Sequence, residues 1–423
     1  MDYNEAINYI ETAGLLGSKP GLSRIKELCR LLGDPQEKVK YIHVAGTNGK
    51  GSVCAMLNEI LIRSGLKTGL FTSPHLCCFE ERIRVGGFDM PKSRLAEIIG
   101  KVKNCADKMS DKPTEFEIAT AAAFLYFYEE NCDIVVLETG LGGRLDATNI
   151  IKSPLLTVIT GIGLDHTAIL GDTLWQIAYE KGGIIKENVP LVLAACHPAA
   201  SGVLVNIAKE KSAPLISVNY MRQENVSVSL GGTVFDFDPY GKVYLSLAGL
   251  YQADNAAAAI TAAEQLKKQG LPITEKSLFE GLKNTRWQAR FEVFCENPII
   301  IYDGAHNPQG AAALVQNLNA VNINRAVFVS GVMKDKDYRL FAEAISPLAE
   351  TVLTVKPDNP RALDPGILAG VFKEFGVTAE PYNTVKEGVR AAVNLAKGKN
   401  IPLIICGSLY MYKEVKSEIY HLD

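Results

Sequence analysis

Short β-branched and aliphatic runs alternate with segments of helical periodicity along most of the chain, a pattern that predicts parallel sheets covered by helices. Val39–Val44 reads as a buried strand that runs straight into the glycine-rich stretch 46–52. Val53–Arg63 then shows helical spacing. Further buried strands are expected at Thr68–Phe71, Asp133–Leu137, Leu155–Thr160 and Leu191–Ala195. Phe116–Tyr128 reads as an apolar helix whose stripe is core packing rather than a cofactor surface. A second helix is expected over Thr173–Lys186, packing Leu174, Ile177, Ala178 and Ile185 inward.

From Val226 to Leu247 the pattern changes to alternation around Gly231-Gly232 and Tyr240-Gly241, as in antiparallel strands joined by tight turns. Helices follow at Asp254–Lys268 and from Thr274. Strands then recur at Ile299–Tyr302, Ala326–Gly331, Thr351–Val355 and Leu403–Cys406, which predicts a second α/β unit. With a boundary near Glu292–Pro298, the expected domains are 1–294 and 295–423. The fold class is α/β: a phosphate-loop domain with a small antiparallel element, then a Rossmann-like domain.

The 423 residues exceed the usual size of one core, in keeping with two domains. Apolar residues make up 47% and charged residues 22%, an ordinary globular composition. The net charge of −3, with no basic stripe, argues against nucleic acid as the main partner. No apolar stretch approaches the roughly 20 residues that span a bilayer. The start, Met1-Asp2-Tyr3-Asn4-Glu5, lacks a signal-peptide core. A cytoplasmic monomer without a membrane partner is expected. Nine cysteines include no Cys-x-x-Cys pair, and Cys54, Cys132 and Cys406 read as buried thiols.

The chemistry concentrates in Gly46-Thr47-Asn48-Gly49-Lys50-Gly51-Ser52. Glycines let successive N–H groups turn toward phosphate oxygens, and a following helix adds its positive end. Lys50 would supply a charge for the β/γ-phosphates and Ser52 a hydroxyl for phosphate or metal. The usual phosphate-loop spacing is broken, because Val44 stands in place of the first glycine and Gly51 follows Lys50. The bland alternative is a glycine turn with an incidental lysine, but the strand before and helix after favour ATP. Glu138 ends an apolar strand, where a carboxylate can hold Mg²⁺. The alternative there is an acid paired to a surface cation.

That loop resembles the folylpolyglutamate synthase and dihydrofolate synthase branch of the Mur ligase superfamily. The resemblance extends through Phe71-Thr72-Ser73-Pro74-His75-Leu76, the stretch Glu138-Thr139-Gly140-Leu141-Gly142-Gly143-Arg144-Leu145-Asp146-Ala147-Thr148-Asn149, then Asp165-His166-Thr167, Glu180-Lys181-Gly182-Gly183 and Asp303-Gly304-Ala305-His306-Asn307-Pro308. It implies a Mur-ligase-like ATPase domain followed by a glutamate-ligase domain. It implies ATP contacts from Thr47, Asn48, Gly49, Lys50, Gly51, Ser52, Asn255, Arg290 and Asp303, and two Mg²⁺ ions held by Ser73, Glu138 and His166. Lys181 would be carbamylated, His306 would approach the γ-phosphate, and Asp146 could hydrogen-bond a pterin. Lys50, Glu138, Lys181 and His306 form the expected catalytic set. One departure stands out: the family usually shows Trp-Pro-Gly-Arg, whereas this chain has Trp287-Gln288-Ala289-Arg290. Ser408-Leu409-Tyr410 and Asn359-Pro360-Arg361-Ala362 resemble segments near the incoming glutamate.

The implied activity is ATP-dependent addition of L-glutamate to dihydropteroate, to the γ-carboxylate of a reduced folate, or to both, through an acyl phosphate. Rivals are chain extension alone, a Mur-type ligase for another acid, and, from another class, a phosphate-loop kinase or NTPase.

Overall fold

The computed structural model describes residues 1–14, 17 and 19–421. Contacts divide the chain into two compact units, residues 1–221 with 255–285, and 222–254 with 286–423. A break at 294/295 would cut a strand, Glu292–Glu296, which pairs with Ile299–Tyr302.

Among the described residues, the first unit holds an eight-stranded sheet. Its strands are β1 (Tyr41–Ala45), β2 (Thr68–Phe71), β3 (Ile83–Val85), β4 (Phe88–Asp89), β5 (Ile134–Glu138), β6 (Leu156–Ile159), β7 (Leu191–Leu193) and β8 (Leu215–Ser217), in the order β4-β3-β2-β5-β1-β6-β7-β8. From β2 to β8 all neighbours are parallel, and only β3 and β4 run antiparallel. β1, β5 and β6 are buried throughout, which is why they read as unbroken apolar runs. The expected central strands are present within one or two residues. Sequence pattern missed β3, β4 and β8, which are two or three residues long and lie at or next to the sheet edges.

Register aligns the carboxyl ends of the central strands. Val44 pairs with Glu138 and Ala45 with Ile159, while Phe71 pairs with Leu137. The loops after β1, β2, β5 and β6 therefore leave from one sheet edge, where open α/β sheets bind ligands.

The helix Glu115–Glu129 packs Ile118, Ala122 and Phe124 into the core that holds Tyr41, Val135 and Leu137. Its first turn is closed by reciprocal bonds between Thr114 and Glu117. Arg24, buried, donates to Glu117 at 3.0 Å and ties the amino-terminal helices to this cap. The expected helix over 173–186 spans only Leu174–Gly182, capped by Thr173. Just past its end Gly183 lies against Arg144, whose Cα would sit 2.3 Å from an added Cβ.

The second unit has a three-stranded antiparallel element, β9 (Gln223–Ser229), β10 (Gly232–Phe237) and β11 (Gly241–Leu245), at the place where alternation predicted it. Its main sheet is β12 (Glu292–Glu296), β13 (Ile299–Tyr302), β14 (Ala326–Ser330), β15 (Ala349–Thr354), β16 (Thr378–Pro381) and β17 (Leu403–Cys406), ordered β12-β13-β17-β14-β15-β16. Only β12 is antiparallel to its neighbour. Ile301, Phe328, Val352 and Ile404 meet helix residues Leu314, Phe341 and Phe372 in its core. This is the Rossmann-like α/β domain expected from sequence. All nine cysteines are free, and Cys54, Cys132 and Cys406 are buried. No described helix is long and apolar enough to cross a membrane.

The phosphate-loop helix Lys50–Arg63 is set by contact with Glu275–Asn284, where a Cβ on Gly281 would fall 2.6 Å from Ile60 Cα. Gly281→Val should therefore lower stability by about 2 kcal/mol or more, since backbone must move to admit it. Gly100, inside Lys92–Ala106 with open space around it, is the control. Gly100→Ala should gain about 0.5–1 kcal/mol. Thermal unfolding of both variants checks the pair.

Candidate active site

The loop after β1 is built from positions that only glycine occupies comfortably. Gly46 has φ +154°, and a Cβ there would lie 1.8 Å from Thr160 Oγ1. Gly49 has φ +86°, opens the helix Lys50–Arg63, and would meet Asn255 Oδ1 at 2.4 Å. Asn255 thus sits against the loop at Gly49. Thr160 hydroxyl donates to Asn48 O at 2.7 Å. Thr47 N–H donates to Gly161 O at 2.8 Å, and Thr47 Oγ1 exchanges 3.0 Å bonds with Gly163. Thr160 and Gly163, which sequence reading did not single out, hold the outer side of the loop. The signal was available in Thr160 at the end of an apolar run, followed by glycine. Gly51 and the buried Ser52 lie in the first helical turn.

Lys50 Nζ donates to Gly46 O at 3.2 Å and Thr47 O at 3.4 Å, and stands 3.9 Å from Glu138 Oε1. Lys181, only 5% exposed, donates to the same Gly46 carbonyl at 2.6 Å. Burial, and then the Lys50 charge, push the Lys181 ammonium down from 10.5 to about 7. Asp165, quoted above in the Asp165-His166-Thr167 motif without a role of its own, opposes that shift together with Asp146 and Glu138. Glu138 is buried, and its Oε2 accepts Ser73 N–H at 3.3 Å. Lys50, Glu138, Ser73 and Lys181 are therefore brought together.

His166 stands at the start of Thr167–Leu170 with φ +51°, its ring 4.0 Å from Asp165 Oδ2 and its side chain 39% exposed. Among the described residues, no group of three or more His, Cys, Asp or Glu converges on a metal position. Glu138, bonded to the backbone N–H of Ser73, nevertheless offers a carboxylate oxygen of the hard type that Mg²⁺ takes.

Asp146 has its carboxylate committed to its own loop. It accepts Leu141 N–H at 2.8 Å, Thr148 N–H at 3.0 Å and Thr148 hydroxyl at 2.5 Å. Burial raises its pKa against those bonds. Thr148 in turn meets His43 Nε2 at 2.9 Å, and burial followed by Lys186 lowers the pKa of His43 to about 3, which leaves a neutral ring. The structure thus gives Asp146 the work of shaping the loop 140–149.

In the second unit, Asp303 is buried and accepts Phe291 N–H at 2.8 Å, Ala305 N–H at 2.8 Å and Tyr251 hydroxyl at 3.1 Å. Burial raises its pKa, with Arg290 the main opposing influence. Arg290 Nη1 donates to Ala289 O at 2.9 Å. His306 Nδ1 lies 2.8 Å from Gly304 O, and since a carbonyl only accepts, that nitrogen carries the proton. Arg290, Asp303 and His306 are grouped around Gly304. Asn307 Oδ1 accepts Gly310 N–H at 2.8 Å and starts Pro308–Ala320, which is cap chemistry.

The Mur ligase middle domain family matches residues 44–263, and the Mur ligase glutamate ligase domain family matches residues 289–409. With a phosphate loop, a strand-end acid and a second α/β unit, the chain is an ATP-dependent ligase of the Mur type. A dihydrofolate synthase/folylpolyglutamate synthase of Bacillus subtilis is 36% identical over 432 residues, covering 99% of both chains. A folylpolyglutamate synthase of Lacticaseibacillus casei is 32% identical over 439 residues, again with 99% of both covered. The solved Mycobacterium tuberculosis folylpolyglutamate synthase complexed with ADP and AMPPCP aligns at a TM-score of 0.90 and 30% identity, over 99% of each chain. The chain belongs to the folylpolyglutamate/dihydrofolate synthase family.

The Lys181 shift sets a pH dependence with a definite sign. Between the folded value of about 7 and the ordinary 10.5, the unfolded chain binds a proton that the folded chain has released. Stability from this group therefore rises with pH across that window. Unfolding free energies measured at several pH values there should climb in the unmodified protein and flatten in Lys181→Met.

Proposed function

We propose that this protein adds L-glutamate to folate-type acids, taking both dihydropteroate and reduced folate, through an acyl-phosphate intermediate. The observation that supports this reading most is the crowding of Lys50, Lys181 and Glu138 about the Gly46 carbonyl. Two ammonium groups leaning on one backbone oxygen are an arrangement that a polyphosphate with its cation would complete.

A substrate carboxylate oxygen attacks the γ-phosphorus, the bond to the ADP oxygen breaks, and ADP leaves. The glutamate amine attacks the acyl carbon, the C–O bond breaks toward inorganic phosphate, and the amine loses a proton. Lys50 exchanges its Gly46 and Thr47 carbonyls for phosphate oxygens, and the 47–52 amides supply fixed donors. Mg²⁺ would be held by Glu138 and Ser73, with His166 as the further ligand that the resemblance implies, and would neutralise phosphate charge. Arg290 adds a charge suited to the transferring phosphoryl group. His306, whose Nδ1 is bonded to the Gly304 carbonyl, is the further residue that the resemblance brings to the γ-phosphate. Lys181 near neutrality offers the uncharged amine that carbamylation requires. ¹³C-bicarbonate should then give a carbamate NMR signal that Lys181→Met lacks.

ADP release separates the alternatives. Purified protein with ATP should release ADP with dihydropteroate plus glutamate and with tetrahydrofolate plus glutamate, and Lys50→Ala should cut kcat/KM by about 10²-fold or more. Silence with dihydropteroate would leave chain extension alone. Steady ADP release that ignores glutamate would point to a kinase or NTPase and end the proposal.

A further inference from the structure

We propose that Glu292 and Tyr412 are positioning residues for Arg290, holding it on a turn that the chain would not otherwise adopt. The inference rests on the reading of Arg290 as a phosphate contact. Ala289 and Phe291, on either side of Arg290, have φ of +56° and +47°. That left-handed region disfavours residues with a Cβ, and bulky ones most of all. Two such residues flanking a functional arginine require the surroundings to fix them.

Each is fixed by a carboxylate. Phe291 N–H is held by Asp303, as described above. Ala289 N–H donates to Glu292 Oε2 at 2.7 Å, while Ala289 O accepts both Gly304 N–H and Arg290 Nη1 at 2.9 Å. The other Glu292 oxygen, Oε1, accepts the Tyr412 hydroxyl at 2.9 Å. Tyr412 is fully buried and packs edge-on against Tyr302, with ring centroids 5.1 Å apart. The chain of contacts therefore runs from a rigid aromatic core through Tyr412 and Glu292 to the amide that sets Ala289. Gly304 completes the fit, because a Cβ there would lie 2.5 Å from Arg290 Nη1.

If Glu292 acts by pinning a left-handed alanine, a residue that enters that region freely should make Glu292 less necessary. Gly at 289 is such a residue. Steady-state kinetics of Glu292→Ala, Tyr412→Phe, Ala289→Gly, the Glu292→Ala/Ala289→Gly double variant and Arg290→Ala test this. Glu292→Ala should lower kcat/KM for ATP about tenfold or more, as misplacement of a positioned contact does, and Tyr412→Phe should lower it less. KM for glutamate should stay near its original value in both. The double variant should recover most of the ATP loss, a rescue that a merely structural role would not give. Should Glu292→Ala fail to fold, Tyr412→Phe alone and with Ala289→Gly carries the same comparison. Normal ATP kinetics in the Glu292 and Tyr412 variants beside an impaired Arg290→Ala, or a double variant no better than Glu292→Ala, would overturn the inference. Normal ATP kinetics in Arg290→Ala would instead overturn the reading of Arg290 and remove the inference with it.

Discussion

Two lysine ammonium groups share one backbone carbonyl at the end of β1. Lys181 Nζ reaches Gly46 O at 2.6 Å and Lys50 Nζ at 3.2 Å, with Glu138 the nearby carboxylate at 3.9 Å from Lys50. Burial first, and then the neighbouring Lys50 charge, disfavour the charged form of Lys181 and move it to about 7. The rest of the first unit exists to keep that geometry. Register brings Val44 opposite Glu138. Thr160 wedges under Gly46, and Gly281 lets a second helix press on the phosphate-loop helix.

Much of this was readable before any coordinates. Strands buried on both faces leave continuous apolar runs, so β1, β5, β6, β14 and β17 stood out. The phosphate loop was visible because glycine, lysine and serine fell between a strand and a helix. Edge strands were not, because β8 and β16 are half exposed and carry no apolar run. The end of the Lys181 helix was missed for a different reason. Gly182-Gly183 is a tertiary requirement, set by Ile207 against Gly182 and Arg144 against Gly183, and periodicity carries no trace of it.

The site residues divide along the same line. Lys50 and Glu138 lie together as the glycine loop and the strand end implied, and Ser73, which only the family resemblance suggested, is bonded to Glu138 through its N–H. Asp146 is held by amides and a hydroxyl of its own loop, and Asp303 by the Ala305 amide of its loop together with the Phe291 amide and the Tyr251 hydroxyl. Both shape the segments that carry functional groups. Spacing cannot distinguish an acid that faces a ligand from one that builds the loop beside it, because both sit in turns. The replacement of the family's Pro-Gly by Gln288-Ala289 was legible as a departure. Its answer was not: Ala289 still adopts the left-handed conformation, with its N–H bonded to the carboxylate of Glu292.

The central claim is that the glycine turn and Glu138 grip a nucleotide triphosphate with its cation. A crystal structure with a non-hydrolysable ATP analogue and Mg²⁺ tests it most directly. The β- and γ-phosphates should lie against the 47–52 amides, with Lys50 turned from the Gly46 and Thr47 carbonyls onto phosphate oxygen and the metal at Glu138. A triphosphate bound elsewhere, with Lys50 still on those carbonyls, would contradict it.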